Sequence, residues 1–148
     1  MSYALRSLSR RRQTRFQLEQ KMRRREFEQE IIKEVLDNCE EREYLNDFEY
    51  ARLWVEDRIR FKPMGRWRLK CELFQRGIKA DVIEEVLGNL LSEDVEIKLL
   101  KKLFKEKWIG IESYQDNPRK LIGFLERRGF SRAQILKVAE SLGVDFWE

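Results

Sequence analysis

Arg66 and Arg68 open one predicted helix of this chain, Arg15 opens another, and Arg119 and Lys120 open a third. A helix N-terminus carries partial positive charge, so cations there call for a compensating anion. The anion could be a neighbouring Asp or Glu, or a carboxylate or phosphate on a partner. Arg58, Arg60 and Lys62 form another basic group at the end of a predicted helix, where the dipole alone accounts for them. Arg10, Arg11 and Arg12, with Arg23, Arg24 and Arg25, make the start of the chain its most basic part. The chemistry on offer is electrostatic capture of an acidic or phosphate-bearing partner, salt-dependent if the partner is a nucleic acid. The candidate partner- or DNA-binding residues are therefore Arg10, Arg11, Arg12, Arg15, Arg58, Arg60, Lys62, Arg66, Arg68, Arg119 and Lys120.

Catalytic chemistry finds no comparable foothold. The sequence has no histidine, no glycine-rich phosphate loop, no GxSxG and no metal-ligand spacing. Glu40, Glu41 and Glu43 read as a solvated acidic face. No catalytic residue, metal or cofactor is expected, and the chain is not expected to be an enzyme. Cys39 and Cys71 occur without a CxxC pair and read as reduced, partly buried thiols rather than zinc ligands. Trp54, Trp67, Trp108 and Trp147 could stack on bases, but their helical spacing favours packing. Trp67 is the exception to watch, because Phe16 and Arg119 align with it.

The elements that position these residues recur. Shifting the sequence by 51 and then by 52 aligns Leu18, Leu69 and Leu121; Ile32, Ile83 and Ile135; and Val35, Val86 and Val138. Met22, Leu73 and Leu125 agree in type, as do Phe27, Ile78 and Phe130. The apolar spacing inside each unit is helical. The expected fold is all-α: three tandem three-helix repeats over 1–40, 41–91 and 92–148, stacked into an elongated array in which no repeat buries its apolar face alone.

Punctuation supports the helices. Thr14, Gly65 and Asn117 are in register as N-caps, and Pro118 follows at the first helical position. Gly77 and Gly129 suit the left-handed position after the helix, with Ile78 and Phe130 packing back on Leu73 and Leu125. Glu26 takes that place in the first repeat, so it is strained by about 1 kcal/mol or avoids left-handed geometry. The second helices span about 15–25, 66–76 and 118–128, and the third about 28–38, 79–90 and 131–142. The first helices span about 3–12, 46–62 and 92–108. Ser131 with Gln134 and Asn46 with Glu49 read as capping boxes, and Ser92 as a cap. Residues 61–65 and 109–116 are expected to be loops.

Charge follows the same period. Residues 1–25 hold nine Lys/Arg against one Glu, and 26–49 hold two against ten acids. Residues 50–79 hold nine bases against three acids, and 80–97 hold six acids and no base. Either basic helices of one repeat pair with acidic helices of another, or a basic stripe faces an anionic partner; both can hold. No stretch approaches the apolar length of a membrane span. The Arg-rich start lacks an apolar signal core, so no targeting segment and no membrane partner are expected.

The run Tyr44-Leu45-Asn46-Asp47, then Tyr50-Ala51, Arg58, Gly65-x-x-Arg68-Leu69-x-x-Glu72-Leu73-x-x-x-Gly77-Ile78, resembles the RecX family of bacterial recombination regulators. Ala4-Leu5, the basic helix after it and Glu19-x-x-Met22 resemble the family's opening. Asn46, Met22 and Glu26 depart from the family's usual Asp, Leu and Gly. The resemblance implies a curved body of three three-helix repeats, acting in the cytoplasm as a monomer without a cofactor. It implies binding to the RecA recombinase filament on single-stranded DNA, with inhibition of ATP hydrolysis and strand exchange, and in some members direct DNA binding. The alternative is a stand-alone helical module that binds single- or double-stranded nucleic acid.

Overall fold

The structure is a computed structural model that describes residues 1–145; Trp147, expected to pack, lies outside the described residues. Among them there are ten helices and no strand. These are α1 (Ser2–Arg10), α2 (Arg15–Arg24), α3 (Gln29–Glu41), α4 (Asp47–Phe61), α5 (Arg66–Gln75), α6 (Ala80–Leu90), α7 (Glu93–Gly110), α8 (Glu112–Asp116), α9 (Pro118–Arg127) and α10 (Arg132–Ser141). The all-α expectation holds.

Three boundaries differ from the sequence reading, one of them the end of α3, which runs to Glu41 rather than about 38. The first helix stops at Arg10, with Arg11 extended at φ −162°. The Gln13 amide donates to the Ser7 carbonyl (3.0 Å) and to Ser7 Oγ (2.9 Å). It thus takes the acceptor that the Arg11 N–H would use in a continuing helix. The expected loop over 109–116 is instead mostly helical: α7 runs to Gly110, and α8 follows one residue later. Gln115 there donates to the Trp108 carbonyl at 2.8 Å, folding the short helix back on the end of α7.

Capping boxes close the starts of α2 (Thr14, Gln17) and α10 (Ser131, Gln134). Ser92 Oγ accepts from the Val95 N–H, and Asn46 Oδ1 from that of Glu49. The Glu49 side chain turns to Arg52 instead of completing a box. Asn117 makes no side-chain cap. It directly follows α8, and its own N–H is bonded to the Ser113 carbonyl, ending that helix. Pro118, at the first position of α9, has no N–H to satisfy.

The helix ends repeat in detail. The N–H of Phe27, Ile78 and Phe130 each bonds the carbonyl five residues back, at Met22, Leu73 and Leu125, all at 3.2 Å. The residue before each is left-handed: Glu26 at φ +62°, Gly77 at +79° and Gly129 at +97°. Glu26 therefore accepts the strain rather than avoiding it. The same ending closes α3, through Tyr44 N–H to the Cys39 carbonyl, and α10, through Val144 N–H to Ala139. Glu43, at φ +59°, is the left-handed residue of α3's ending, which glycine spacing did not foretell.

The chain divides into two compact units, Met1–Trp54 with Glu72–Val86, and Val55–Cys71 with the chain from Leu87 onward. The first has a core built around Leu18, Met22, Ile32, Leu36 and Cys39. The second is built around Leu100, Phe104, Leu121, Leu125 and Ile135. Every member of the in-register Leu, Ile and Val triplets is buried. At about 1.5–3 kcal/mol per fully buried aliphatic side chain, the repeat is first of all a packing pattern.

Each unit also contains one copy of a polar latch. In the first, Thr14 Oγ1 donates to the Arg76 carbonyl (2.6 Å), and the Arg15 N–H donates to Asp47 Oδ1 (2.9 Å). In the second, the Gly65 N–H donates to the Arg128 carbonyl (2.7 Å), and the Arg66 N–H to Glu96 Oε2 (2.6 Å). Donors and carbonyl acceptors stand one sequence period apart. The approach is close: a Cβ on Gly77 would lie 2.2 Å from Phe16 Cβ, and one on Gly65 2.4 Å from the Gly129 carbonyl.

Candidate interface for an anionic partner

The densest cationic feature lies between α1 and α2, in the first unit. Ala4, Leu18 and Met22 are buried in its core, and Leu8 packs against them. That orientation leaves Arg6 and Arg10, four residues apart, on the outer side of α1. Lys21 and Arg24, with Arg25 just past the helix end, face them from α2. Together with Tyr3, Ser7 and Arg11 these side chains line a cleft of about 510 Å³. Among the described residues no acid lines it. The Arg25 guanidinium lies 4.9 Å from the Tyr3 ring centre, a cation–π contact that holds it at the wall. Burial lowers the pKa of the Lys21 ammonium, and Arg11, Arg24 and Arg10 lower it further.

The predicted residues fare differently from one another. Arg10 and Arg11 come together in this cleft, while Arg12 is exposed beyond its lining. Arg15 has internal partners: its guanidinium bridges Asp37 (2.9 Å) and Glu40 (3.0 Å). Burial opposes its charge, but the bonds to Glu40 and Asp37 outweigh that and raise its pKa. Asp47, which receives the Arg15 N–H, is itself pushed up by burial, only partly offset by that bond.

The remaining candidates belong to the second unit. Arg60 and Lys62 are exposed, and Arg60 lies 5.3 Å over the Phe61 ring. Arg66 is half-buried and its side chain donates to the Leu91 carbonyl at 3.3 Å. Arg68 is exposed, and with Arg58 it lies near enough to Arg128 to lower that guanidinium's pKa after burial has done so. Arg119 and Lys120 are exposed on the first turn of α9. The anions that offset the opening cations of α2 and α5 are thus partly within the chain: Asp37, Glu40 and Asp47 at α2, Glu96 at α5.

Arg6 and Lys21 escaped the sequence reading, and Arg24 and Arg25 were noted there but not chosen. The signal was present in the spacing of Arg6 to Arg10 and of Lys21 to Arg24 and Arg25, which places each set on one helical face. What the sequence did not display was that these two faces meet. Of the tryptophans, Trp54 packs beneath Arg76 (3.7 Å) with its N–H on Glu72, and Trp108 stacks on Phe104. Trp67 is 69% exposed. Cys39 is buried and Cys71 half-buried, both as free thiols. No helix among the described residues is long and apolar enough to cross a membrane.

Comparison with known proteins is concordant. Residues 1–39 match the family model for the first three-helix domain of RecX, and residues 46–87 that for the second. A protein named regulatory protein RecX from Caldanaerobacter subterraneus subsp. tengcongensis is 30% identical over 136 residues, covering 92% of this chain and 66% of that one. Its namesake from Chlorobium phaeobacteroides is 30% identical, covering 94% of this chain and 90% of its own length. That from Thermobifida fusca is 32% identical, covering 96% and 80%. The crystal structure of RecX from Lactobacillus salivarius is similar with a TM-score of 0.82 over 96% of this chain and 93% of that one; at 24% identity it speaks for the fold.

Proposed function

The chain belongs to the RecX family, and from that premise we propose that it modulates the RecA recombinase by binding the RecA filament on single-stranded DNA. In this reading it lowers the filament's ATP hydrolysis and strand exchange, works without catalysis of its own, and does so in the cytoplasm alongside the DNA. The observation that carries it is the match of residues 1–39 and 46–87 to the two RecX domains. Relatives named as regulatory proteins, aligned over most of this chain, support a regulatory role.

The family run divides in a way that supports an interface reading. Ala51, Leu69, Leu73 and Ile78 are buried, and Gly65 and Gly77 sit in the latches. Those residues make the fold. Exposed Arg68, whose guanidinium also donates to the Arg127 carbonyl, and exposed Arg60 and Lys62, outside the run, are the cations this reading assigns to the partner contact. Boundaries near residues 40 and 91 belong to the same proposal, supported by the in-register helix endings.

The test is a coupled assay of single-stranded-DNA-stimulated ATP hydrolysis by RecA, with the chain titrated in. The reading expects hydrolysis to fall with added chain, and strand exchange with it. Hydrolysis unchanged at saturating chain would overturn it.

A further inference from the structure

We infer that Lys21 is a site of side-chain acylation by acyl phosphates, whose anionic phosphate is captured by the guanidinium groups that line the α1–α2 cleft around it. The chemistry happens at one amine and does not depend on RecA binding, so either proposal can fail alone.

Lys21 is half-buried in the last turn of α2, next to buried Met22 and one turn from buried Leu18. It is the one primary amine in a lining whose other charged members are Arg6, Arg10, Arg11, Arg24 and Arg25. Among the described residues its ammonium is in no ion pair, unlike the Arg23 guanidinium two residues on, which holds Glu19 at 2.8 Å. Half burial takes water from the ammonium, and no carboxylate replaces it. Burial lowers its pKa, and Arg11, Arg24 and Arg10 lower it further. A larger share of this amine is therefore unprotonated and nucleophilic at neutral pH than of an ordinary lysine.

The arginines that disfavour the ammonium attract its reaction partner. An acyl phosphate carries its negative charge directly beside an electrophilic carbonyl. Arg10 and Arg11 stand at the end of α1, and Arg24 and Arg25 at the end of α2. Their planar forks match phosphate oxygens two at a time. The Arg25 guanidinium is steadied over the Tyr3 ring at 4.9 Å. At about 510 Å³ the cleft falls within the size range of small-molecule sites.

The step balances. The neutral Lys21 Nζ attacks the acyl carbonyl and an N–C bond forms. The bond from the acyl carbon to the phosphate oxygen breaks, and the amine proton leaves with the phosphate as hydrogen phosphate. The guanidinium groups stabilise the charge that gathers on the departing phosphate. The product is a neutral amide, so acylation removes one of the six cations of the lining. A neutral acyl donor gains nothing from the arginines.

The experiment treats the full chain with acetyl phosphate at neutral pH and follows individual lysines by peptide mass spectrometry. Lys21 is expected to be acetylated at least about fivefold faster than exposed Lys62 and Lys120. Its rate is expected to saturate with acetyl phosphate and to fall when inorganic phosphate is added, while the rates at Lys62 and Lys120 do neither. Arg10→Gln/Arg24→Gln, two changes at exposed side chains, is expected to slow Lys21 at least about fivefold and leave Lys62 and Lys120 unchanged. Circular dichroism checks that this variant folds; should it not, phosphate competition on the wild-type chain decides. With acetic anhydride, which is uncharged, the preference for Lys21 is expected to shrink. Lys21 modified no faster than Lys62 and Lys120, an unsaturable rate, or an unchanged rate in the folded variant would overturn the proposal. So would an equal preference with acetic anhydride, which would make Lys21 a reactive amine without anion capture.

Discussion

Glu26 shows how much a single residue reveals about this chain. It holds φ +62° where the later repeats use glycine, and its side chain is exposed. Left-handed backbone at a residue with a Cβ costs about 1 kcal/mol, part of which glycine returns through its freer unfolded state. Glu26→Gly is therefore expected to raise stability by about 0.5–1 kcal/mol in urea denaturation, with an unchanged m-value. A loss of stability would mean that the Glu26 side chain does something beyond bearing the strain. Residue-level reading of the sequence located this conflict correctly, because the register of Gly77 and Gly129 exposed the odd member. It did not locate Glu43, whose counterpart in the third repeat is a glycine only at Gly143 and whose middle equivalent shows no such residue. It also could not tell which cations were neutralised: Arg15 lies between Asp37 and Glu40, more than twenty residues away in the sequence but adjacent once α2 packs on α3.

At the scale of elements, apolar periodicity and caps were enough to place nine of the helices. They failed where a side chain acted through the tertiary structure. Gln13 ends α1 by reaching back to Ser7, and Gln115 turns an expected loop into α8. The meeting of α1 with α2, which creates the cationic cleft, is likewise a matter of packing and not of either helix alone. The latches are the strongest element-level feature. Gly77 is constrained twice, by its left-handed backbone and by Phe16 against the place of a Cβ. Either constraint alone would tolerate some adjustment; together they leave little. Gly77→Ala is expected to cost about 2–4 kcal/mol. Equilibrium denaturation measures this, and a cost under about 1 kcal/mol would show that α2 and the end of α5 can separate without penalty.

At the scale of the whole molecule, the repeated pattern serves first to build packed helices, and the proposed functional surface is drawn from what the packing leaves outside. That ordering explains why the family run could be recognised while the interface was only partly legible. Buried Leu69, Leu73 and Ile78 are dictated by periodicity, whereas exposed Arg60, Lys62 and Arg68 follow no such period. A partner made of repeating subunits suits a surface with cations in several places, because weak contacts add when one body engages several sites at once. Salt then separates two sources of attraction: phosphate contacts weaken steeply as salt rises, while protein contacts with apolar and hydrogen-bonded components persist. The most direct measurement is co-sedimentation of the chain with preassembled RecA filaments on single-stranded DNA, beside the same DNA without RecA, over one salt series. The account predicts that the chain stays with the filaments at salt concentrations that release it from the bare DNA. Release from both at the same salt, or no association with the filaments at any salt, would contradict it.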